Sequence, residues 1–248
     1  KSNRLHQYCW LATKASALLQ GLYSGLYTPR SRSASDITLF IKETRSTVNM
    51  GSIITGLNPT HTIFLYRHPY GVISSNIKGR ESGLMEKISS KTREGWFNAN
   101  INVDGFLDCS PDTNLDSIFQ LSEIEFTALQ WTKHNIDLME FSKERDNCYF
   151  VSYEDLLQDS ELVIQGLFKK IGLDYDTQVQ SFLDETATPT SSQQHRTILS
   201  KNASNDFYSV YRQKNFDPQK WSKSLSKDDC ERIDKICALT FKELEDRR

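Results

Sequence analysis

The chain lacks several features that would have placed it quickly. It has no apolar run near the length of a membrane span. Its five cysteines, Cys9, Cys109, Cys148, Cys230 and Cys237, are too few and too scattered for a disulfide framework, and none stands at metal-ligand spacing. The net charge is only −2, so nothing global points to nucleic acid or to an anionic membrane surface. No internal repeat is visible, which sets aside solenoids and propellers. No secretory leader is readable, and the compartment stays open. One glycosylation sequon, Asn202-Ala-Ser204, is too common a pattern to decide it.

What is present fits a single α/β domain. At 248 residues and 38% hydrophobic content the chain can bury a sizeable core. Its charge is uneven. Residues 1–45 hold seven Lys/Arg against two Asp/Glu, while residues 81–145 hold six against twelve. The basic N-terminal third reads equally as a solvated basic face or as a surface suited to an anionic ligand.

Helical periodicity predicts helices over about 5–26, 48–57, 70–78, 121–142, 160–172 and 226–245. Short apolar runs predict strands at Ile37–Ile41, at Thr62–Tyr66 and from Cys148. Ser226 with Asp229 resembles a capping box. In the last helix Ile233, Ile236, Cys237, Thr240, Phe241 and Leu244 form the apolar face. Strands that are apolar throughout, alternating with helices, predict a parallel sheet covered on both faces, in three α/β/α layers. Residues 81–120 read as a long excursion that could serve as a lid or acceptor-binding segment. Residues 186–215 read as loop-like and mobile.

The most informative stretch is Thr62-Ile-Phe-Leu-Tyr-Arg-His-Pro-Tyr-Gly-Val-Ile-Ser-Ser. An apolar strand ends abruptly in Arg67-X-Pro69. A helix begins at once and brings Ser75 eight residues after the arginine, about two helical turns on. An arginine at the carboxyl end of a buried strand can fork its guanidinium onto a phosphate, and a serine can add a hydroxyl donor. Such strand ends are where α/β sheets bind ligands. The plainer reading is a βα junction whose arginine makes a surface ion pair.

The spacing Arg-X-Pro-(five residues)-Ser resembles the 3′-phosphate-binding segment of sulfotransferases that use 3′-phosphoadenosine-5′-phosphosulfate (PAPS). Two later segments carry the resemblance in the same order. One is the strand from Cys148, followed by Tyr153-Glu154-Asp155-Leu156 and a helix ending at Gly172. The other is Lys220-Trp221 before the terminal helix. The patches span about 37–244, with 81–120 and 174–215 matching nothing.

The resemblance implies a P-loop-like sulfotransferase fold and PAPS as co-substrate, with no metal. It implies Arg67 and Ser75 at the 3′-phosphate, with Tyr153 and Lys220 on the nucleotide. Lys78 and Arg80 lie one turn beyond Ser75 and one of them could add charge there, Arg80 being favoured because arginine binds bidentately. Tyr153 reads equally as a half-buried tyrosine at a strand end. Lys42 resembles the lysine that stabilises the transition state, and a surface lysine is an equal reading. Glu43 beside it is a candidate base, although a strand-end glutamate is more often a cap or an ion-pair partner. His68 is read as structural. The acceptor would be a carbohydrate or small-molecule hydroxyl or amine.

One departure is serious. The family's 5′-phosphosulfate loop, whose backbone N–H groups cradle the transferring group, is not readable here. The nearest lookalike, Pro29-Arg-Ser-Arg-Ser-Ala-Ser35, has no glycine and precedes a strand rather than a helix. The expectation is that the loop and the first strand lie upstream of Lys1. The competing expectation is a non-catalytic domain that keeps the half-site for 3′-phosphoadenosine. A P-loop nucleotide kinase is disfavoured, because no Gly-rich Lys-Ser/Thr loop and no Mg²⁺-binding aspartate at a strand end are visible.

Overall fold

The computed structural model describes residues 41–42, 50–100, 115–187, 217 and 219–248. The chain divides into two units, Lys1–Arg45 and Ser46–Arg248. Ile41 and Lys42 belong to the first unit, where both are exposed and in no regular element. The predicted helix 5–26, the turn 29–35 and most of the strand at Ile37–Ile41 lie outside the described residues, as does nearly all of 186–215.

In the second unit, α1 (Met50–Leu57) leads to β1 (Thr62–Tyr66) and then to α2 (Pro69–Glu81). A helix α3 (Ser90–Asn100) and a 3₁₀ turn (Leu115–Gln120) precede the long α4 (Glu123–Ser142). Then come β2 (Cys148–Ser152), α5 (Tyr153–Gln158), α6 (Ser160–Ile171) and α7 (Thr177–Ala187). A 3₁₀ turn at Lys220–Lys223 opens the terminal helix α8 (Lys227–Asp246).

β1 and β2 pair in parallel, Thr62 beside Cys148 through Tyr66 beside Ser152. Both strands therefore end together, just before Arg67 and Tyr153. The class is α/β with far more helix than sheet. The inner sheet face carries Phe64, Tyr66 and Phe150. Phe64 stacks edge-on against Phe141 of α4, with ring centroids 6.5 Å apart.

Behind the sheet, α4 packs along α8. Phe126, Ala128, Leu129, Trp131, Ile136 and Met139 meet Ile233, Ile236, Cys237 and Leu244. The hydroxyl of Thr132 donates to the carbonyl of Ile236 at 3.2 Å, so the polar atom at this helix contact is satisfied. Both long helices start as their sequences demand. Ser122 with Glu125, and Ser226 with Asp229, each form a reciprocal capping box. α6 ends at Gly172, whose φ of 71° is the left-handed conformation a helix stop needs.

The described residues bear on two expectations. The described sheet has two strands, and on its outer face Ile63 and Leu65 are 41% and 58% exposed while Val151, beside Leu65, is buried. Within residues 81–120 the described chain forms α3 and a 3₁₀ turn. Trp96 and Phe97 sit on α3, and Trp96 stacks edge-on against Phe126 at 5.4 Å. The polar composition of α3 masks its helical period.

Candidate functional site

The site forms where β1 and β2 end. The turn out of β1 is fixed from two sides. The indole N–H of Trp131 donates to the Arg67 carbonyl at 3.1 Å. The backbone N–H of His68 is shared by both carboxylate oxygens of Glu154 at 3.2 Å each. Pro69 takes the first helical position, where a missing N–H removes nothing. His68 is the N-cap of α2, and its Nδ1 accepts the Tyr70 N–H at 3.3 Å.

That bond requires a neutral ring protonated on Nε2. The imidazole is wedged among aromatics. It lies edge-on to Phe241 at 4.5 Å, tilted against Tyr70 at 4.6 Å and parallel to Trp221 at 6.2 Å. Burial lowers its pKa, partly opposed by Asp234 and Glu245. His68 is therefore structural, as the sequence suggested.

Arg67 projects from this fixed turn. Its Nε is 3.9 Å from Glu154 Oε1, and its guanidinium carbon stands 4.9 Å from the centre of the Tyr153 ring. The side chain lies across Gly71. A Cβ at that position would come within 2.7 Å of Arg67 Nε and 3.1 Å of its Cζ and a terminal nitrogen. Ser75 is four residues beyond Gly71, on the same helix face, and half-buried. Its neighbour Ser74 is buried and hydrogen-bonds Ser224 Oγ at 2.7 Å. Arg67, Gly71, Tyr153 and Glu154 thus form one constellation at the carboxyl ends of two parallel strands, with Ser75 one turn beyond Gly71 on α2.

Lys220 is exposed, in a turn fastened to α2 from outside. Trp221 packs on Tyr70 at 4.5 Å, and the Ser224–Ser74 bond pins the end of the turn. Lys220 makes no ion pair among the described residues.

Arg80 is elsewhere. It sits in the last turn of α2, some 16 Å along the helix from its start at ~1.5 Å per residue. It is 8% exposed, pairs with Glu123 and donates to Thr127 Oγ1 at 2.7 Å. The structure ties it to α4 and does not bring it to Arg67. Lys42 belongs to the other unit, and Glu43 lies outside the described residues. No group of His, Cys, Asp or Glu that could hold a metal occurs among the described residues.

Burial raises the Glu154 pKa, while the His68 N–H and Arg67 oppose that rise. Nearby, Tyr66 donates to Glu245 at 2.7 Å and Tyr70 to Asp234 at 2.6 Å. Burial followed by these acidic partners raises both phenol pKa values.

Sequence reasoning missed two residues of the site. Gly71 is the seat of Arg67, and its signal is a glycine in the first turn of a helix, where propensity disfavours it. Glu154 carries no local signal of its own, and its carboxylate joins the two strand ends by accepting the His68 N–H. Set against protein-family models, curated proteins and solved structures, the chain matches none.

Proposed function

We propose that the chain binds a 3′-phosphoadenosine nucleotide through Arg67 and Ser75 and is a PAPS-dependent sulfotransferase. The acceptor class is a carbohydrate or small-molecule hydroxyl or amine. The observation that supports this is the seating of Arg67 on Gly71, with Ser75 one turn further along the same face, where two parallel strands end. A guanidinium held against a glycine, an aromatic ring and a carboxylate has little orientational freedom left. It can meet a phosphate with less loss of entropy. Tyr153 and Lys220 are the further nucleotide contacts in this reading, and the fold extends to the three-layer architecture of that family.

PAPS would supply a sulfuryl group whose S–O bond to phosphate breaks as a bond to the acceptor oxygen or nitrogen forms. The protein's share is positioning and charge stabilisation, as in phosphoryl transfer. Lys42 is proposed to stabilise charge on the transferring group, and Glu43 to take the acceptor proton. Arg80 is dropped from the phosphate set, because it is buried against Glu123. The unreadable phosphosulfate loop favours a second reading, a binding domain without transfer.

The test is transfer of labelled sulfate from PAPS to a panel of sugars, phenols and amines. Transfer, with Lys42→Ala lowering kcat more than nucleotide affinity, supports the enzyme. Binding with no transfer supports the second reading. Neither binding nor transfer refutes both.

A further inference from the structure

Arg67 and Glu154 form an ion pair across the two strand ends, Nε to Oε1 at 3.9 Å. The acidic neighbours of Glu154 have other partners. Asp155, next to it on α5, is held by Arg248 at 2.8 and 3.0 Å. Glu245 of α8 accepts from Tyr66 and pairs with Arg248 at 3.2 Å. Glu154 faces Arg67 and the neutral His68 of the β1 turn and Glu245 of α8, while Arg248, just past α8, pairs with Glu245 and Asp155. The two oxygens of Glu154 share a backbone N–H, and its side chain is 27% exposed. An anion that forks onto Arg67 would come within roughly 4–8 Å of this carboxylate, close enough for like charges to shift a protonation equilibrium.

We propose that Glu154 is a charge gate on the Arg67 site, a positioning residue that holds the guanidinium when no anion is bound and takes up one solvent proton when an anion binds. The inference rests on the anion-binding reading of Arg67 and adds its regulation. Ligand affinity then rises as pH falls. The burial that already favours the neutral acid supports this direction. A protonated Glu154 still accepts the His68 N–H through its carbonyl oxygen, so the turn survives the change.

The experiment is calorimetry on the full chain at about pH 6 and pH 8, in buffers of differing ionisation enthalpy. The probes are sulfate, whose charge is constant over that range, and 3′-phosphoadenosine-5′-phosphate. Glu154→Gln keeps the acceptor for His68 N–H and cannot titrate. Roughly fivefold or more tighter binding at the higher pH is expected from it, together with loss of most proton uptake on sulfate binding. Arg67→Ala should abolish that uptake. If Glu154→Gln binds no tighter, or keeps the wild-type pH profile, the gate is wrong. A variant weakened equally at every pH would show a merely structural role and also overturn it. Linked sulfate binding without preference for the nucleotide would uphold the gate and sink the sulfotransferase reading. Failure of the wild type to bind either probe overturns both.

Discussion

Replacing Gly71 with alanine separates folding from ligand binding more cleanly than any other change at this site. In an ordinary helix the substitution is stabilising by about 0.5–1 kcal/mol, because glycine loses more backbone freedom on folding. Gly71 is within α2 and is not among the residues with positive φ, so alanine can adopt its backbone. The obstacle is Arg67, whose Nε lies 2.7 Å from the new methyl position. To reach the 3.4 Å of ordinary contact the side chain must retreat by at least about 0.7 Å. The Tyr153 ring on its flank limits the retreat, so the guanidinium has to turn out of its present orientation. A charged hydrogen bond to phosphate is worth about 1.5–3 kcal/mol, and its loss should weaken nucleotide binding roughly tenfold to a hundredfold. Urea denaturation should find Gly71→Ala as stable as the wild type or up to about 1 kcal/mol more stable. Calorimetry should find the affinity loss. Wild-type affinity in a variant that folds normally would refute the seating argument.

Three further outcomes follow from the same geometry. Arg80→Ala should destabilise by about 1.5–3 kcal/mol, since it removes buried bonds to Glu123 and Thr127, yet leave nucleotide affinity unchanged. An affinity loss in the folded variant would restore Arg80 to the phosphate set. Burial depresses the His68 and His134 pKa values, so as pH falls below the ordinary 6.5 the unfolded chain takes up protons first. Stability should therefore drop from about pH 6.5 downward, and denaturation midpoints should show less of that drop in His68→Asn, which can cap α2 without titrating. Ser122→Ala should remove about 1 kcal/mol by breaking the α4 capping box, measurable in the same denaturation series.

The elements that the sequence announced were those whose signal is local. β1, β2 and α6 stand where apolar runs and the Gly172 stop put them, and α8 starts at its Ser226–Asp229 box. α3 and α7 were missed. α3 offers the core little beyond Trp96 and Phe97, so its apolar period is weak, whereas α7 carries a short stripe of Val179, Phe182 and Leu183 amid polar sequence, with Phe182 exposed. The positions of Arg67, at the end of β1, and of Ser75, in the second turn of α2, follow from local spacing and were legible. The distance of Arg80 from Arg67 was not. An arginine that caps a ligand and one that ties α2 to α4 look alike until Glu123 and Thr127 are seen beside it. The Glu154 contact to His68 spans 86 residues of sequence, and only the parallel register of β1 and β2 brings it about.

The central claim is that Arg67 recognises the 3′-phosphate of an adenosine nucleotide. Its most direct test is calorimetric titration of the full chain with 3′-phosphoadenosine-5′-phosphate and, in parallel, with 5′-AMP, for the wild type and for Arg67→Ala. The account predicts at least about tenfold tighter binding of the bisphosphate by the wild type, with most of that preference lost in the variant. Equal affinity for the two nucleotides, or a preference that survives Arg67→Ala, would contradict it.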